Sequence, residues 1–144
     1  MVIQLLVVGK LKDRALQARC DEYLKWLTAY GKVTLDLVPD SDPEHEGTTM
    51  LKRLEKERNA RIIALTEEGT QYSSPELARH LGAFQTKIIF LIGGPMGLSH
   101  AVKQRADELW SLSRLTFTHE MARVLVLEQL FRANNILHGG HYQK

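Results

Sequence analysis

Apolar runs of strand length alternate along the chain with longer segments whose apolar residues recur every three or four positions. Val2–Val8 (VIQLLVV) is apolar at all but one position, the pattern of a strand buried on both faces. After Gly9, Leu16, Cys20, Tyr23, Leu24 and Leu27 share one helical face and predict a helix over about 12–30. VTLDLV (33–38) predicts a second strand, residues 39–46 an acidic loop, and residues 47–59 a charged helix. RIIALTE (61–67) reads as the third strand. Ser74 and Pro75 then read as the N-cap and first residue of a helix through Phe84. KIIFLIGG (87–94) is the fourth strand, Ser99 caps a helix running to Trp110, LSRLTF (112–117) is a short extended segment, and residues 119–137 form the last helix. Strands separated by helices run parallel, so the pattern predicts an α/β domain: a mostly parallel sheet, helices on both faces, and ligands at the C-terminal ends of the strands. No repeat, low-complexity tract or linker breaks the alternation, so residues 1–144 are expected to form one domain.

Composition narrows this picture. With 144 residues and 44% apolar content, one core is enough. The net charge of +2 (19 Lys+Arg against 17 Asp+Glu) is too small to imply nucleic acid by itself. Five carboxylates fall between Asp36 and Glu46, however, so basic groups dominate elsewhere and a local patch is open. A single cysteine, Cys20, excludes an internal disulfide framework and fits a reducing compartment. The first ten residues have no basic region ahead of a signal-peptide core, and no window approaches the roughly 20 apolar residues of a membrane span, so a cytoplasmic, non-membrane protein is expected.

Candidate chemistry concentrates late in the chain. Gly93, Gly94 and Gly97 interrupt the run KIIFLIGGPMGLS as G-G-x-x-G, not the dinucleotide G-x-G-x-x-G, and Pro95 removes an amide donor that a phosphate would use. Two readings stand: a tight structural turn, or a loop lying against a flat ligand without phosphates, such as a purine ribonucleoside. His119 and Arg123 share a helix face four residues apart, as do Glu128 and Arg132, which suits either surface pairs or a site. Around Gly139 and Gly140, where the chain leaves the helix, the tail offers His138, His141, Tyr142 and Lys144. The histidines lack cysteine or carboxylate partners at ligand spacing, so no metal is expected.

LLVVGKLK at the start, IALTEEG in the middle, FLIGGPMGLS, WSLSRLTFTHEMARVLVLEQLFRANNIL and a tyrosine near the C-terminus carry a resemblance. In order and spacing the chain resembles, end to end, the bacterial ribosomal large-subunit pseudouridine N3-methyltransferases of the knotted SPOUT superfamily. The resemblance implies a C-terminal trefoil knot, an exception to the rule against threaded chains. It also implies a homodimer, S-adenosylmethionine as methyl donor, and a pseudouridine of 23S rRNA in the assembled ribosome as acceptor. On this basis Leu65, Gly93, Gly94, Leu112, Ser113, Arg114, Leu115, Thr116 and Phe117 hold the donor, with backbone groups of the last loop reading the adenine edge. His119, Arg123 and Tyr142 are the catalytic candidates, Tyr142 by stacking on or bonding to the extruded base. Arg132, His141 and Lys144 are the candidates for RNA contact.

The chain departs from the family pattern at two places. Thr118 stands where a proline usually precedes the histidine, and the tail reads His141-Tyr142-Gln143-Lys144 where Pro-Tyr-His before a basic end is usual. Gln143 cannot exchange a proton as imidazole does. Either His141 takes that part, or no imidazole is the essential base. The remaining readings are a SPOUT methylase with a different RNA acceptor and a non-catalytic RNA-binding SPOUT protein.

Overall fold

The structure, a computed structural model, describes residues 1–142. The near-continuous apolar run of β1 (Val2–Val8) has a physical reason: the strand lies inside the sheet, with β2 (Lys32–Val38) on one side and β4 (Lys87–Ile92) on the other, both parallel to it. β3 (Ala60–Thr70) pairs with the far side of β4, and β5 (Glu108–Trp110) closes the edge, giving the order β2-β1-β4-β3-β5. Successive β1 side chains point to opposite faces. Ile3, Leu5 and Val7 join a core built with α1 (Arg14–Leu27), α3 (Ser74–Gly82) and α5 (His119–Leu137), whereas Leu6 and Val8 join one built with α2 (Pro43–Leu54) and α4 (His100–Arg105). The predicted α/β class, parallel sheet and helices on both faces are therefore present.

Several boundaries differ from the sequence expectation, each for a definable reason. The segment 39–46 is not all loop. Asp42 accepts the backbone N–H of His45 at 2.9 Å, Pro43 takes the first helical position, and Glu44 and Glu46 sit in the first turn of α2, where the helix dipole favours carboxylates. The acidity is a helix-start signal. Ser73, not Ser74, caps α3, and it forms a capping box with Glu76. The helix after Ser99 ends at Arg105, because Asp107 bonds both backbone groups of Ile62 and steers the chain onto the sheet as β5. Trp110, 3% exposed, then packs 5.9 Å from Phe90. Residues 112–117 are loop, not an extended segment.

The long apolar face of α5 is spent within the chain: Val126, Leu127 and Leu130 are fully buried between α1, α3 and the sheet. Each such side chain contributes about 1.5–3 kcal/mol by leaving water. Cys20 lies in the same core, and burial pushes its thiol up to about 11. At pH 8 the thiolate fraction is then on the order of a hundredfold below that of a free cysteine. A disulfide reagent should therefore label the native protein slowly and the urea-unfolded chain at once; equal rates would contradict this packing.

The topology also designates a ligand site. From β1 the chain proceeds to β2 on one side, while from β4 it proceeds to β5 on the other, so the connections of these two neighbouring strands diverge. Such a switch point leaves a crevice outside the C-terminal strand ends.

Candidate functional site

At that end of the sheet three segments meet: β3 from Leu65 onward, past its pairing with β4, the turn after β4, and the loop 112–118 after β5. Together with the first turn of α5 they enclose a cavity of about 930 Å³, at the upper end of the usual range for small-molecule sites.

The turn after β4 answers the question its glycines raise. Gly97 N–H donates to Gly94 C=O at 3.0 Å, and Gly97 adopts a positive φ of 79°. A Cβ at Gly93 would lie 2.8 Å from the carbonyl carbon of Gly97. Gly93 and Gly97 are thus required by the turn itself, and the turn also walls the cavity, so both sequence readings apply to one feature.

Hydrogen bonds hold the 112–118 segment to β3. Ser111 N–H donates to Thr70 C=O at 2.9 Å, and Thr116 Oγ1 donates to Glu67 Oε1 at 3.1 Å. Inside the loop, Ser111 Oγ donates to Ser113 C=O, and Ser113 Oγ accepts from Leu115 N–H. The resulting wall is largely apolar, with Leu65, Ile92, Leu112, Leu115 and Phe117, and Leu115 is 71% exposed at the mouth. Carboxylates of Glu67, Glu68 and Glu120 also line the cavity, Glu68 being paired with Lys103 at 2.6 Å. An apolar slot with close backbone approach and rim carboxylates suits a nucleoside bearing a positive group better than one bearing phosphates.

Of the nine residues expected around a donor, eight line this cavity: Leu65, Gly93, Gly94, Leu112, Ser113, Leu115, Thr116 and Phe117. Arg114 is not among the lining residues; it stands exposed between two that are. His119 borders the cavity at the start of α5. Thr118, in the place of the usual proline, caps that helix by accepting Met121 N–H at 3.2 Å.

Arg123 is elsewhere. Only 3% exposed, its Nη2 donates to Val8 C=O at 2.9 Å and Gly9 C=O at 2.7 Å, and its Nε–H has no partner. It lines a second, smaller cavity of about 590 Å³ between α1 and β2, not the first. Burial lowers the pKa of the guanidinium from its ordinary value. The phosphate grip expected of it would require surrendering both carbonyls, so this geometry gives Arg123 a structural part. One turn back, Glu120 does what no local pattern signalled. Its Oε1 accepts the backbone N–H of Lys12 at 2.6 Å and of Asp13 at 3.2 Å, and these donors hold the carboxyl below its usual range.

The tail docks along α5. Tyr142 packs edge-on to Phe131 with ring centroids 4.8 Å apart, its hydroxyl lies 3.1 Å from that of Tyr23, and the guanidinium of Arg132 sits 4.8 Å over its ring. Arg132 also pairs with Glu128. Burial and the Tyr23 hydroxyl raise the pKa of the Tyr142 phenol. The structure thus brings Arg132 and Tyr142 together, but away from the cavity that His119 borders; His141 is exposed beside them. Lys144 and Gln143 lie outside the described residues. Among the described residues, no group of three or more histidine, cysteine or acidic side chains is spaced to hold a metal, and no helix is long and apolar enough to cross a membrane.

Comparison with known proteins adds to this geometry. The sequence model of the family described as "Predicted SPOUT methyltransferase" matches residues 1–143. Proteins named "Ribosomal RNA large subunit methyltransferase H" from Shouchella clausii and Listeria welshimeri are each 40% identical over 159 aligned positions, covering 100% of both chains. The protein of that name from Kosmotoga olearia is 37% identical over 155 positions, 99% of both chains. Among solved structures, "a probable methylase family protein" from Haemophilus influenzae superposes with a TM-score of 0.61 at 16% identity, over 99% of this chain and 70% of that one, a likeness of fold.

Proposed function

The chain belongs to the SPOUT methyltransferase family, and we propose on that ground that it methylates N3 of a pseudouridine in 23S ribosomal RNA of the assembled ribosome, using S-adenosylmethionine. The same reading makes it a cytoplasmic homodimer with the C-terminal knot of its family. The observation that carries the reading is the convergence of Leu65, the Gly93–Gly94 turn and the 112–117 loop on one cavity, together with full-length relatives named as ribosomal RNA large-subunit methyltransferases.

The residues present fit S-adenosylmethionine. The turn after β4 is open at Gly97, where a Cβ would meet nothing within 4 Å, no phosphate cradle is needed, and Leu65, Leu112, Leu115 and Phe117 offer apolar cover to an adenosine. Bound there, the donor supplies an electrophilic methyl group on a sulfonium. The chain's own task is to hold the acceptor nitrogen in line with it and to keep water out. Alignment of this kind contributes about 7–11 kcal/mol, against about 3–5 kcal/mol for a general base working at 100- to 10,000-fold. Loss of a base alone need not abolish turnover, so the reading is compatible with a tail in which Gln143 replaces the usual imidazole. His119 borders the cavity and is the candidate for contact with the base or its phosphate, with Arg132, His141 and Lys144 as further RNA contacts. For Tyr142 to stack on an extruded base it must leave its dock against Phe131 and Arg132.

The test is transfer of labelled methyl to intact ribosomes that lack the modification, with the product nucleoside identified by mass spectrometry and uridine-containing ribosomes run in parallel. Label on N3 of a single pseudouridine supports the proposal. Label on another nucleotide replaces the acceptor, and donor binding without transfer to any RNA leaves a non-catalytic RNA binder.

A further inference from the structure

A second functional element follows from what the first turn of α5 does to the loop between β1 and α1. That loop and the first residue of α1 read Gly9-Lys10-Leu11-Lys12-Asp13-Arg14, and the three cations are exposed and make no ion pair among the described residues. Its one acid is already spoken for: Asp13 caps α1 by accepting the N–H groups of Ala15 and Leu16. The loop is bolted at both ends to one face of α5. Arg123 donates to the carbonyls of Val8 and Gly9, and Glu120, three residues earlier, accepts the amides of Lys12 and Asp13. Glu120 also lines the larger cavity, so the backbone of Lys12 is one side chain away from it. The overall charge of +2 hides this patch because Asp42, Glu44 and Glu46 gather at the start of α2; the Asp40 carboxylate lies against Gly9 at the start of the loop, on the side away from Lys12 and Arg14 in sequence.

Exposed basic groups on an ordinary loop would fan out; here both backbone ends are fixed relative to the cavity. Resting on the RNA methylation proposed above, we infer that the β1–α1 loop is an RNA-backbone contact. Lys12 and Arg14 hold phosphates next to the target nucleotide, and Glu120 is a positioning residue that keeps them in register with the methyl donor. Arginine holds a phosphate bidentately and lysine as a point charge, so the element supplies position and affinity, not base identity.

The experiment compares the full chain with a Lys12→Ala/Arg14→Ala variant on unmodified ribosomes. The expected result is a KM for ribosomes raised about a hundredfold, one decade for each of the two charge-assisted contacts removed, with the affinity for S-adenosylmethionine unchanged. The logarithmic salt slope of ribosome binding should become shallower by about one unit for each phosphate no longer held. Glu120→Ala should reproduce the rise in KM in the native background and add nothing in the double variant, whereas a purely structural effect of Glu120 would add in both. An unchanged KM and salt slope in an active Lys12→Ala/Arg14→Ala protein overturns the RNA-backbone role of the loop while leaving the methylase reading intact. If the native chain transfers no methyl yet binds ribosomes with a salt slope that depends on Lys12 and Arg14, the role of the loop stands and the methylase reading falls.

Discussion

Arg123→Ala is expected to lose about 3–5 kcal/mol of stability, read as a drop in the urea midpoint at unchanged slope. Val8 and Gly9 are buried, and the substitution leaves both their carbonyls without the donor each now has. An orphaned buried group costs about 1–3 kcal/mol, and the missing aliphatic stem adds a cavity term. Opposing this, the guanidinium is buried without a carboxylate partner, so removing its charge recovers some desolvation. Arg123→Met separates the contributions, since it refills the volume and restores no hydrogen bond; it should fall between Ala and the native protein. The sequence suggests another outcome, in which RNA methylation fails while fold and donor affinity are untouched. A variant as stable as the native protein but inactive on RNA would return Arg123 to the phosphate grip and refute the structural part.

Gly93→Ala is expected to weaken S-adenosylmethionine binding by roughly a hundredfold, about 2.7 kcal/mol, and to cost about 1–3 kcal/mol of stability. The new methyl would meet backbone, not a flexible side chain: Gly97 carbon at 2.8 Å, its oxygen at 2.9 Å and Leu98 nitrogen at 3.1 Å. The turn closed by Gly97 N–H to Gly94 C=O must open, and that turn is a wall of the cavity. Gly97→Ala is the control. Its Cβ would meet nothing within 4 Å, so only its φ of 79° is penalised, about 1–2 kcal/mol of backbone strain. Titration calorimetry with the donor and a thermal melt on each variant decide the matter. Native-like donor affinity in Gly93→Ala would mean that the donor does not pack against this turn.

How far the site is legible in the sequence differs residue by residue. The cavity wall is legible because Leu65, Gly93, Gly94 and 112–117 come from contiguous motifs toward or beyond the C-terminal ends of paired strands, and parallel strands end on the same side. Glu120 and Arg123 are not. Their partners are 107 to 115 residues away, at the other end of the chain. Four-residue spacing places Arg123 on the face of His119, yet one side chain borders the cavity and the other points into the core beneath β1. Tyr142 shows the same limit, since its dock joins α1, α5 and the tail across 119 residues.

Periodicity and capping are local, so β1, β4 and α5, the α/β class and the parallel sheet all follow from the chain. So does the glycine break after β4, although not that it serves turn and cavity together. Two things needed the assembled molecule. Residues 108–110 became a strand because Asp107 and Trp110 found Ile62 and Phe90, and an arginine with the look of a phosphate ligand became a bolt because it was buried. The common reason is solvation. Whether a charged or polar group works for the fold or for a ligand depends on how much water remains around it, and packing between distant segments sets that amount.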